Sequence, residues 1–305
     1  MSKILVIGAT NIDIIGKSFS FIQIKDSNVG SVSVSIGGVG KNIAENLKRL
    51  GVDIEFITVF GNDEFGKMSM NHLKQINLSF DCSIYSDKNS GTYLAIHNVD
   101  GDMELALSDA SIIDELQVNH LKKLHSYIDL FEIIVIDTNV NSDVIDYICE
   151  RYQNKKIVVD AVSTKKSLKL LPNLKYIHTL KCNYIEALSL TQSNSFEEAD
   201  IIIELLSKGP SQVVITNGEK TIFYNENTNI LSSPVDAIRE YVNATGAGDA
   251  FLSGIIYGYA KKQPISTSID IAKKIASITL MSPSACSKEL DKDWSDTYER
   301  LFNHQ

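Results

Sequence analysis

The chain has 305 residues, of which 44% are hydrophobic, so it can fill the core of one large α/β domain or of two ordinary ones. The formal net charge is −9 and the acidic residues are spread along the chain, which argues against a nucleic-acid partner, because phosphate binding requires basic patches. The four cysteines lie far apart without a C-x-x-C pair, which indicates neither a zinc site nor a disulfide framework and favours a reducing cytoplasm.

Short apolar runs rich in β-branched residues recur along the chain, and such runs are typical of strands buried on both faces. They occupy residues 3–8, 55–61, 132–137, 156–162, 176–183 and 212–218. Longer segments with helical spacing lie between them; in one of these, Ile43, Leu47 and Leu50 share a face and Gly51 follows as a C-terminal cap. Alternating strands and helices predict an α/β fold with a mostly parallel sheet and helices on both faces.

The first strand-like run begins almost at residue 1, which leaves no room for a secretory signal peptide. The longest uninterrupted apolar runs are only a few residues long, whereas a helix that spans a bilayer needs about 20 residues. We therefore expect a protein that is neither secreted nor embedded in a membrane.

Two stretches depart from the alternation of buried strands and helices. Their apolar and polar residues alternate, or they contain a hairpin-type turn, as in antiparallel strands. They are residues 31–36 and 91–108, and the second contains the hairpin-type turn NVDGD. We interpret them as a small separate sheet, formed by segments near 14–36 and 85–108, that serves as a lid over one end of the main sheet. An ordinary edge hairpin is the alternative. The chain has only five prolines and no linker, so residues 1–305 are expected to form one domain that includes this lid.

Asn11 and Asp13 lie just beyond the C-terminal end of the first predicted strand. Ligands of open α/β sheets sit beyond the carboxyl ends of the strands, so both side chains are candidates for substrate binding. Asp13 could accept hydrogen bonds from the two hydroxyls of a vicinal diol. The alternative is a solvated aspartate in a turn, which is the commoner role for any single residue of this kind.

A turn of small residues, Gly37, Gly38 and Gly40, precedes the helix that carries Asn42. A dinucleotide-binding site requires G-x-G-x-x-G directly after the first strand, and that pattern is absent. The glycines instead follow a strand of the small sheet, so we expect the turn to admit a polar substrate close to the backbone. Asn42 offers such a substrate amide donors and an acceptor.

The segment VNATGAGDAF at residues 242–251 predicts the N-terminus of a helix. Gly246, Ala247 and Gly248 lack bulky side chains, so backbone N–H groups at this helix end can approach an anion, which the helix dipole also attracts. Asp249 follows in the first turn. This arrangement suits phosphoryl transfer to a hydroxyl, since the N–H groups can stabilise the phosphate while the carboxylate accepts the proton. The alternative is a glycine-rich helix start with Asp249 as a partner of the helix dipole.

Three ordered segments resemble the signatures of one known family. They are GGVGKNIAENLKRLG at residues 37–51, FGNDEFG at 60–66 and NATGAGDAF at 243–251. Through them the chain resembles the PfkB (ribokinase-like) family of sugar and nucleoside kinases over essentially its whole length. The resemblance implies a ribokinase-like fold with a small β-sheet lid, ATP as co-substrate, and a homodimer formed by packing of the lid sheets.

The resemblance also implies roles for the residues that match the family's motifs. Asp249 would be the catalytic base, beside an anion hole formed by Gly246, Ala247 and Gly248. The hydroxyls of the sugar would be held by Asp13, Gly38 and Asn42. The γ-phosphate of ATP would pass in line to a primary hydroxyl, and the lid would close over the sugar and exclude water.

The nucleotide and its metal ion are placed by the same resemblance. The segment KCNYIEA is similar to the family's N-x-x-E motif, which puts Asn183 and Glu186 near Mg²⁺, its water ligands and the ATP phosphates. The run VVITNGEKTIFY suggests Thr216 and Gly218 as neighbours of ATP. Asn243 stands where the family usually has an aspartate associated with a monovalent cation, so binding of K⁺ there should be weaker.

Within the family, several segments are more similar to pseudouridine kinases than to ribokinases or fructokinases. They are residues 37–51, 136–140, 159–166 and 276–291. This likeness implies pseudouridine as the substrate, with Asn139, Ser163 and Lys166 near its base. The alternative for Lys166 is an exposed lysine of a KK pair. The alternative functions are a kinase of ribose, of another sugar or of another nucleoside, and a PfkB-like binding protein without catalysis.

Overall fold

The structure, a computed structural model, describes residues 2–191, 197–235, 238, 241–291 and 293–302. Its strands are β1 (Ile4–Ile7), β2 (Asn11–Ser18), β3 (Gly30–Gly37), β4 (Ile54–Ile57), β5 (Val59–Gly61), β6 (Ile84–Ser86), β7 (Gly91–His97), β8 (Met103–Asp109), β9 (Ile133–Asp137), β10 (Lys156–Asp160), β11 (Thr179–Asn183), β12 (Gln212–Thr216), β13 (Ile222–Glu226) and β14 (Asn229–Ser233). Its α-helices are α1 (Val39–Arg49), α2 (Glu64–Gln75), α3 (Val118–Lys123), α4 (His125–Ile128), α5 (Ser142–Arg151), α6 (Thr164–Ser167), α7 (Tyr184–Thr191), α8 (Glu198–Ser207), α9 (Ala247–Ala260), α10 (Ile265–Leu280) and α11 (Trp294–Phe302). None of the helices in these ranges is long and apolar enough to cross a bilayer.

The centre of the fold is an eight-stranded sheet in the order β14-β13-β12-β11-β10-β9-β1-β4. The strands from β12 to β4 in that order run parallel, and β13 and β14 continue the sheet as an antiparallel edge. Strand β1 lies between β4 and β9, so that Val6 pairs with both Phe56 and Val135. The predicted α/β fold with a mostly parallel sheet is confirmed.

The side chains of β1 alternate between two hydrophobic cores, one on each face of the sheet. Leu5 and Ile7 pack on the face covered by α5 and α8, whereas Ile4 and Val6 pack on the face covered by α1, α9 and α10. All four side chains are fully buried. The continuous apolar run in the sequence therefore reflects burial on both faces of the strand, as predicted.

A second sheet has four strands in the order β3-β2-β7-β8 and contains both stretches that the sequence predicts to be antiparallel. Strands β2 and β3 are antiparallel, as are β7 and β8, but β2 and β7 run parallel, so the sheet is mixed. Asn11 and Asp13 lie within β2, because pairing on both sides extends the chain there. A turn at Asp13 is therefore wrong, while the use of this sheet as a lid stays a prediction.

The predicted strand at residues 55–61 divides at Thr58 into β4 and β5. The Thr58 N–H donates to the Ser83 hydroxyl at 3.1 Å, and the Thr58 carbonyl accepts from the Ile84 N–H at 2.9 Å. These contacts turn the chain away from β1, and β5 pairs with β6 in a separate two-stranded sheet. A single strand is wrong here because the partners that divide it lie about 25 residues away, outside any local pattern.

The buried carboxylate of Asp137 joins three backbone segments at the carboxyl end of the main sheet. Its Oδ2 accepts hydrogen bonds from the N–H groups of Ala9 (2.9 Å) and Gly40 (2.8 Å), and its Oδ1 accepts from Asn139 (2.8 Å). Gly8 must lack a side chain, because a Cβ there would lie 2.9 Å from the Cα of Gly40. The start of α1 is thereby fixed against the ends of β1 and β9.

Replacing Asp137 with alanine is expected to lower the free energy of unfolding by about 3–5 kcal/mol, because three N–H groups would lose a charged acceptor. Urea unfolding monitored by circular dichroism measures this change. Asp53→Ala serves as the control at an exposed aspartate, where we expect a change below about 0.5 kcal/mol. Equal stabilities of the two variants would contradict this account of Asp137.

Candidate active site

The N-terminus of α9 presents backbone N–H groups that have no acceptor in the part of the chain that the structure describes. Gly246 caps the helix in the left-handed conformation, with φ at 82°, and a Cβ there would lie 2.7 Å from the Cα of Ala285. The N–H groups of Gly246, Gly248 and Asp249 have no acceptor among the described residues, whereas the Ala247 N–H donates to the carbonyl of Ala244 at 3.3 Å. This helix end can therefore bind an anion, mainly through residues 246, 248 and 249.

The Asp249 carboxylate lies at this helix end and meets the first turn of α1. Asn42 donates a hydrogen bond from Nδ2 to Asp249 Oδ2 at 2.7 Å. Cys286 favours this orientation of the amide, because its Sγ lies 3.5 Å from Asn42 Oδ1 and can donate a weak hydrogen bond to it. The carboxylate is thus held in place by a buried amide that is itself oriented.

Burial raises the pKa of Asp249 to about 7, and the negative charge of Asp160 adds to this effect. The hydrogen bond from Asn42 and the positive charge of Lys181 oppose the rise in pKa. An aspartate with a pKa near 7 is a stronger base than an exposed one and is still ionised in part at neutral pH. Asp249 therefore has the position and the basicity that proton abstraction from an alcohol requires.

Polar groups of β2 meet the turn before α1, the helix that carries Asn42. Asp13 packs directly against Gly37, where any Cβ would overlap its carboxylate, and burial raises the pKa of Asp13 to about 6. Asn11 Oδ1 is buried and has no hydrogen-bond partner among the described residues. Gly38 takes a left-handed φ of 99°. A buried acceptor without a partner among these residues and a carboxylate in a recess beside Gly37 fit a ligand rich in hydroxyl groups.

Asn139 and Lys166 come together at the carboxyl ends of β9 and β10. Lys166 is half-buried, and its Nζ donates to Asn139 Oδ1 at 2.6 Å, so it is not a freely solvated lysine. The hydroxyl of Ser163 accepts a hydrogen bond from the Lys166 N–H and caps α6.

Lys169 is a second lysine beside β9, which the sequence pattern did not single out. Its Nζ donates hydrogen bonds to the backbone carbonyls of Thr138 and Val140 at 3.1 and 2.9 Å.

Asn183 and Glu186 form a reciprocal cap at the start of α7. The Glu186 N–H donates to Asn183 Oδ1 and the Asn183 N–H donates to Glu186 Oε2, each at 2.8 Å. Burial raises the pKa of Glu186. No group of three His, Cys, Asp or Glu side chains that could hold a metal ion occurs in the described ranges. A single acidic carboxylate fits Mg²⁺ that keeps its water ligands and is bound mostly by substrate phosphates.

A cavity of about 180 Å³ borders the start of α9. Its lining includes Thr216, Gly218, Ala247, Gly248 and Phe251. The predicted nucleotide neighbours at residues 216 and 218 are therefore next to the helix end that can bind an anion. This juxtaposition suits a ligand that has an apolar ring and a phosphate chain.

Asn243 contributes to the loop before α9 through its neutral side chain. Its Oδ1 accepts from the Thr245 N–H at 2.9 Å and its Nδ2 donates to the carbonyl of Pro283 at 3.3 Å. The amide holds the loop together and supplies no negative charge. Residue 243 therefore offers no carboxylate that could bind a monovalent cation, and its amide oxygen already accepts a hydrogen bond from Thr245.

Two charged residues of the site, Asp160 and Lys181, were missed by the sequence analysis. They form an ion pair of 2.9 Å between neighbouring strands. The available signals were a lysine within the apolar run of β11 and an aspartate at the end of β10. Asp137 ends β9 in the same way. An acidic residue at the carboxyl end of a buried parallel strand is a usable indication of a site.

The comparisons with known proteins agree with this arrangement. Residues 1–292 match the profile described as pfkB family carbohydrate kinase. The chain is 28% identical to pseudouridine kinase of Escherichia coli, over 91% of this chain and 90% of that protein. It is 26% identical to guanosine-inosine kinase of Exiguobacterium acetylicum, over 92% and 95%. A solved carbohydrate kinase from Agrobacterium tumefaciens superposes with a TM-score of 0.85 at 29% identity, covering 99% and 98% of the two chains.

The Asp249 carboxyl is expected to titrate with a midpoint near pH 7, because burial disfavours its ionised form. Replacing Asn42 with alanine removes a donor to that ionised form, so the midpoint should rise further. Carbon-13 NMR of the aspartate carboxyl groups measures both values. Asn154→Ala, at an exposed asparagine, should leave the midpoint unchanged. A midpoint near that of exposed aspartates would contradict the role given to burial.

Proposed function

Because the chain belongs to the pfkB family of carbohydrate kinases, which includes sugar and nucleoside kinases, we propose that it transfers the γ-phosphate of ATP to the 5′-hydroxyl of pseudouridine. The observation that carries this proposal is the Asp249 carboxylate, held by Asn42 beside N–H groups of α9 that have no acceptor within the described ranges. The 28% identity to a pseudouridine kinase supports the choice of acceptor.

In the proposed reaction Asp249 accepts the proton of the 5′-hydroxyl as the oxygen attacks phosphorus. Its pKa of about 7 leaves a large fraction ionised at neutral pH and makes the carboxylate a better proton acceptor than an exposed aspartate. Asn42 would keep the carboxylate oriented through the attack, since Cys286 favours the orientation of its amide. Orientation of this kind is a major part of what an enzyme contributes to phosphoryl transfer.

The N–H groups of Gly246, Gly248 and Asp249 would bind the phosphoryl oxygens, over which negative charge is spread in the transition state. The loop 241–246 keeps these groups in place, because Gly246 packs against the backbone of Ala285. Glu186 would hold water ligands of Mg²⁺, and the bound ion supplies charge neutralisation for the ATP phosphates. The adenine ring would occupy the cavity between Gly218 and Phe251.

The acceptor would lie between β2 and the carboxyl ends of β9 and β10. Asp13 and Asn11 would accept hydrogen bonds from the ribose hydroxyls, which satisfies the otherwise unpartnered Asn11 oxygen. Lys166 would donate to a carbonyl of the base, because its ammonium has N–H groups left beyond the bond to Asn139. A pyrimidine-type base with two carbonyl groups suits this donor.

The four-stranded sheet is proposed to act as the lid and as the dimer surface. It carries the substrate-side residues of β2, so closure of this sheet would exclude water from the reacting groups. Val32, Leu105 and Leu107 on its outer strands are 73%, 54% and 61% exposed. Packing against the same sheet of a second copy would bury this apolar surface.

The second candidate function is phosphorylation of another nucleoside, which the 26% identity to a guanosine-inosine kinase favours. Asp249 and the start of α9 would serve such an acceptor equally well, because every nucleoside presents the same 5′-hydroxyl. In this proposal the base of the nucleoside is recognised near Asn139 and Lys166. The preference for one nucleoside over another therefore depends on these residues and not on Asp249.

A coupled assay of ADP release with Mg·ATP compares pseudouridine, uridine, guanosine, ribose and fructose at equal concentration. We expect kcat/KM for pseudouridine to exceed the others by about tenfold or more, a difference of about 1.4 kcal/mol in transition-state binding. Preference for another nucleoside or a free sugar would overturn the acceptor and leave the role of Asp249 standing. Asp249→Asn is the control, with kcat expected to fall by about 10³-fold while pseudouridine still binds in calorimetry.

Lys166→Met is expected to raise the KM for pseudouridine about tenfold, because one hydrogen bond from a charged donor to the base is lost. The KM for ATP should change by less than about twofold, since the nucleotide is proposed to bind in the cavity at the start of α9. Steady-state kinetics measure both constants. Lys165→Met, at the exposed neighbour, is the matched control and should behave as the wild type. The same KM in both variants would remove Lys166 from base recognition.

A further inference from the structure

Lys181 is a buried cation at the centre of the site that the proposed reaction has not used. It lies in β11 directly beside Asp160 of β10, since the two residues are paired in the register of these parallel strands. The Lys181 side chain is 9% exposed and the Asp160 side chain 4% exposed, and Nζ lies 2.9 Å from Asp160 Oδ2. Both strands belong to the centre of the eight-stranded sheet.

The ammonium group of Lys181 packs against the first turn of α9. A Cβ on Gly248 would lie 3.2 Å from Lys181 Nζ, so the glycine leaves room for the cation beside its own N–H group, which has no acceptor among the described residues. Burial alone would lower the pKa of Lys181, but the carboxylate of Asp160, with smaller contributions from those of Asp249 and Glu186, raises it to about 12. Lys181 therefore keeps its charge at neutral pH.

Stability alone does not account for a buried ion pair at this position. The desolvation of two charges offsets most of their attraction, and apolar side chains of similar volume would serve a structural core equally well. The backbone hydrogen bonds of β10 and β11 already join the two strands. Asp160 also accepts the N–H of Val162 at 2.8 Å, and Val162 has an unfavourable φ of 61° for a β-branched residue. Such strain is concentrated at functional sites.

We propose that Lys181 binds the transferred phosphoryl group together with the start of α9, and that Asp160 is the positioning residue that holds Lys181 there. This inference rests on the proposed function only in taking ATP as the phosphate donor. In the free protein Asp160 is the main partner of Lys181. When the γ-phosphate is bound, the ammonium is shared between Asp160 and the phosphate oxygens. No proton passes through the pair, because Lys181 stays protonated.

The test compares binding of ADP and of β,γ-imido-ATP, which differ in the terminal phosphoryl group. Lys181→Met is expected to weaken β,γ-imido-ATP about tenfold or more by calorimetry while ADP changes by less than about twofold. Its kcat should fall about 100-fold with the acceptor KM nearly unchanged, because the contact is strongest in the transition state. Equal losses for both nucleotides, or no loss for either, would overturn the inference.

Asp160→Asn gives a second and milder measurement, because it keeps the side-chain volume and leaves Lys181 in place. Its kcat should fall about tenfold, and the double variant with Lys181→Met should be no worse than Lys181→Met alone, since the two residues act as one unit. Losses that simply add would contradict the positioning role. Lys156→Met is the matched control, because Lys156 is a half-buried lysine at the opposite end of β10. Both of its nucleotide affinities should stay at wild-type values.

These measurements also separate this inference from the proposed function. If no acceptor is phosphorylated, the proposed function fails, and the ratio of the two nucleotide affinities still decides the role of Lys181. If pseudouridine is phosphorylated but Lys181→Met lowers both affinities equally, only the role of Lys181 fails. A melting temperature recorded for each variant shows that the compared proteins are folded.

Discussion

The geometry of the site depends on one buried carboxylate, Asp137, to which three backbone N–H groups donate. Burial raises the pKa of Asp137, and these hydrogen bonds oppose that rise, so they offset part of the cost of a charge in this position. The first turn of α1 is bound to the carboxyl ends of β1 and β9 by these contacts. Asn42 occupies that turn and reaches Asp249 from it. The base is therefore positioned by the sheet through α1 as well as by its own helix.

Much of the fold could be predicted because the sequence patterns that indicate its strands and helix ends each lie within a short stretch of the chain. The apolar runs of the main sheet follow from burial on both faces, and the glycines before α1 and α9 follow from close backbone approach. The division at Thr58 could not be predicted, because it depends on Ser83 and Ile84. The strand conformation of Asp13 likewise depends on pairing with β3 and β7.

The site was predicted in part for the same physical reason. Small residues followed by a carboxylate mark a helix end that can bind an anion, and this pattern is visible within ten residues of sequence. The pairing of Asp160 with Lys181 is not visible in this way, since it requires knowing which strands are neighbours. The orientation of Asn42 by Cys286 joins residues 244 positions apart. Contacts of this range follow from topology rather than from composition.

The distance along the chain between Asn42 and Asp249 has a consequence for biosynthesis. These two residues are 207 positions apart, and the segment that contains Ala285 and Cys286 packs against both α9 and α1. Strand β1 and helix α1 leave the ribosome early, whereas their partners in α9 and beyond are made last, at about 5–20 residues per second. The amide of Asn42 thus waits about 10–40 seconds for its acceptor to be made. A nascent chain that stops before residue 249 lacks α9 and α10, which cover the same face of the main sheet as α1. The apolar residues of that face are then exposed to chaperones and proteases.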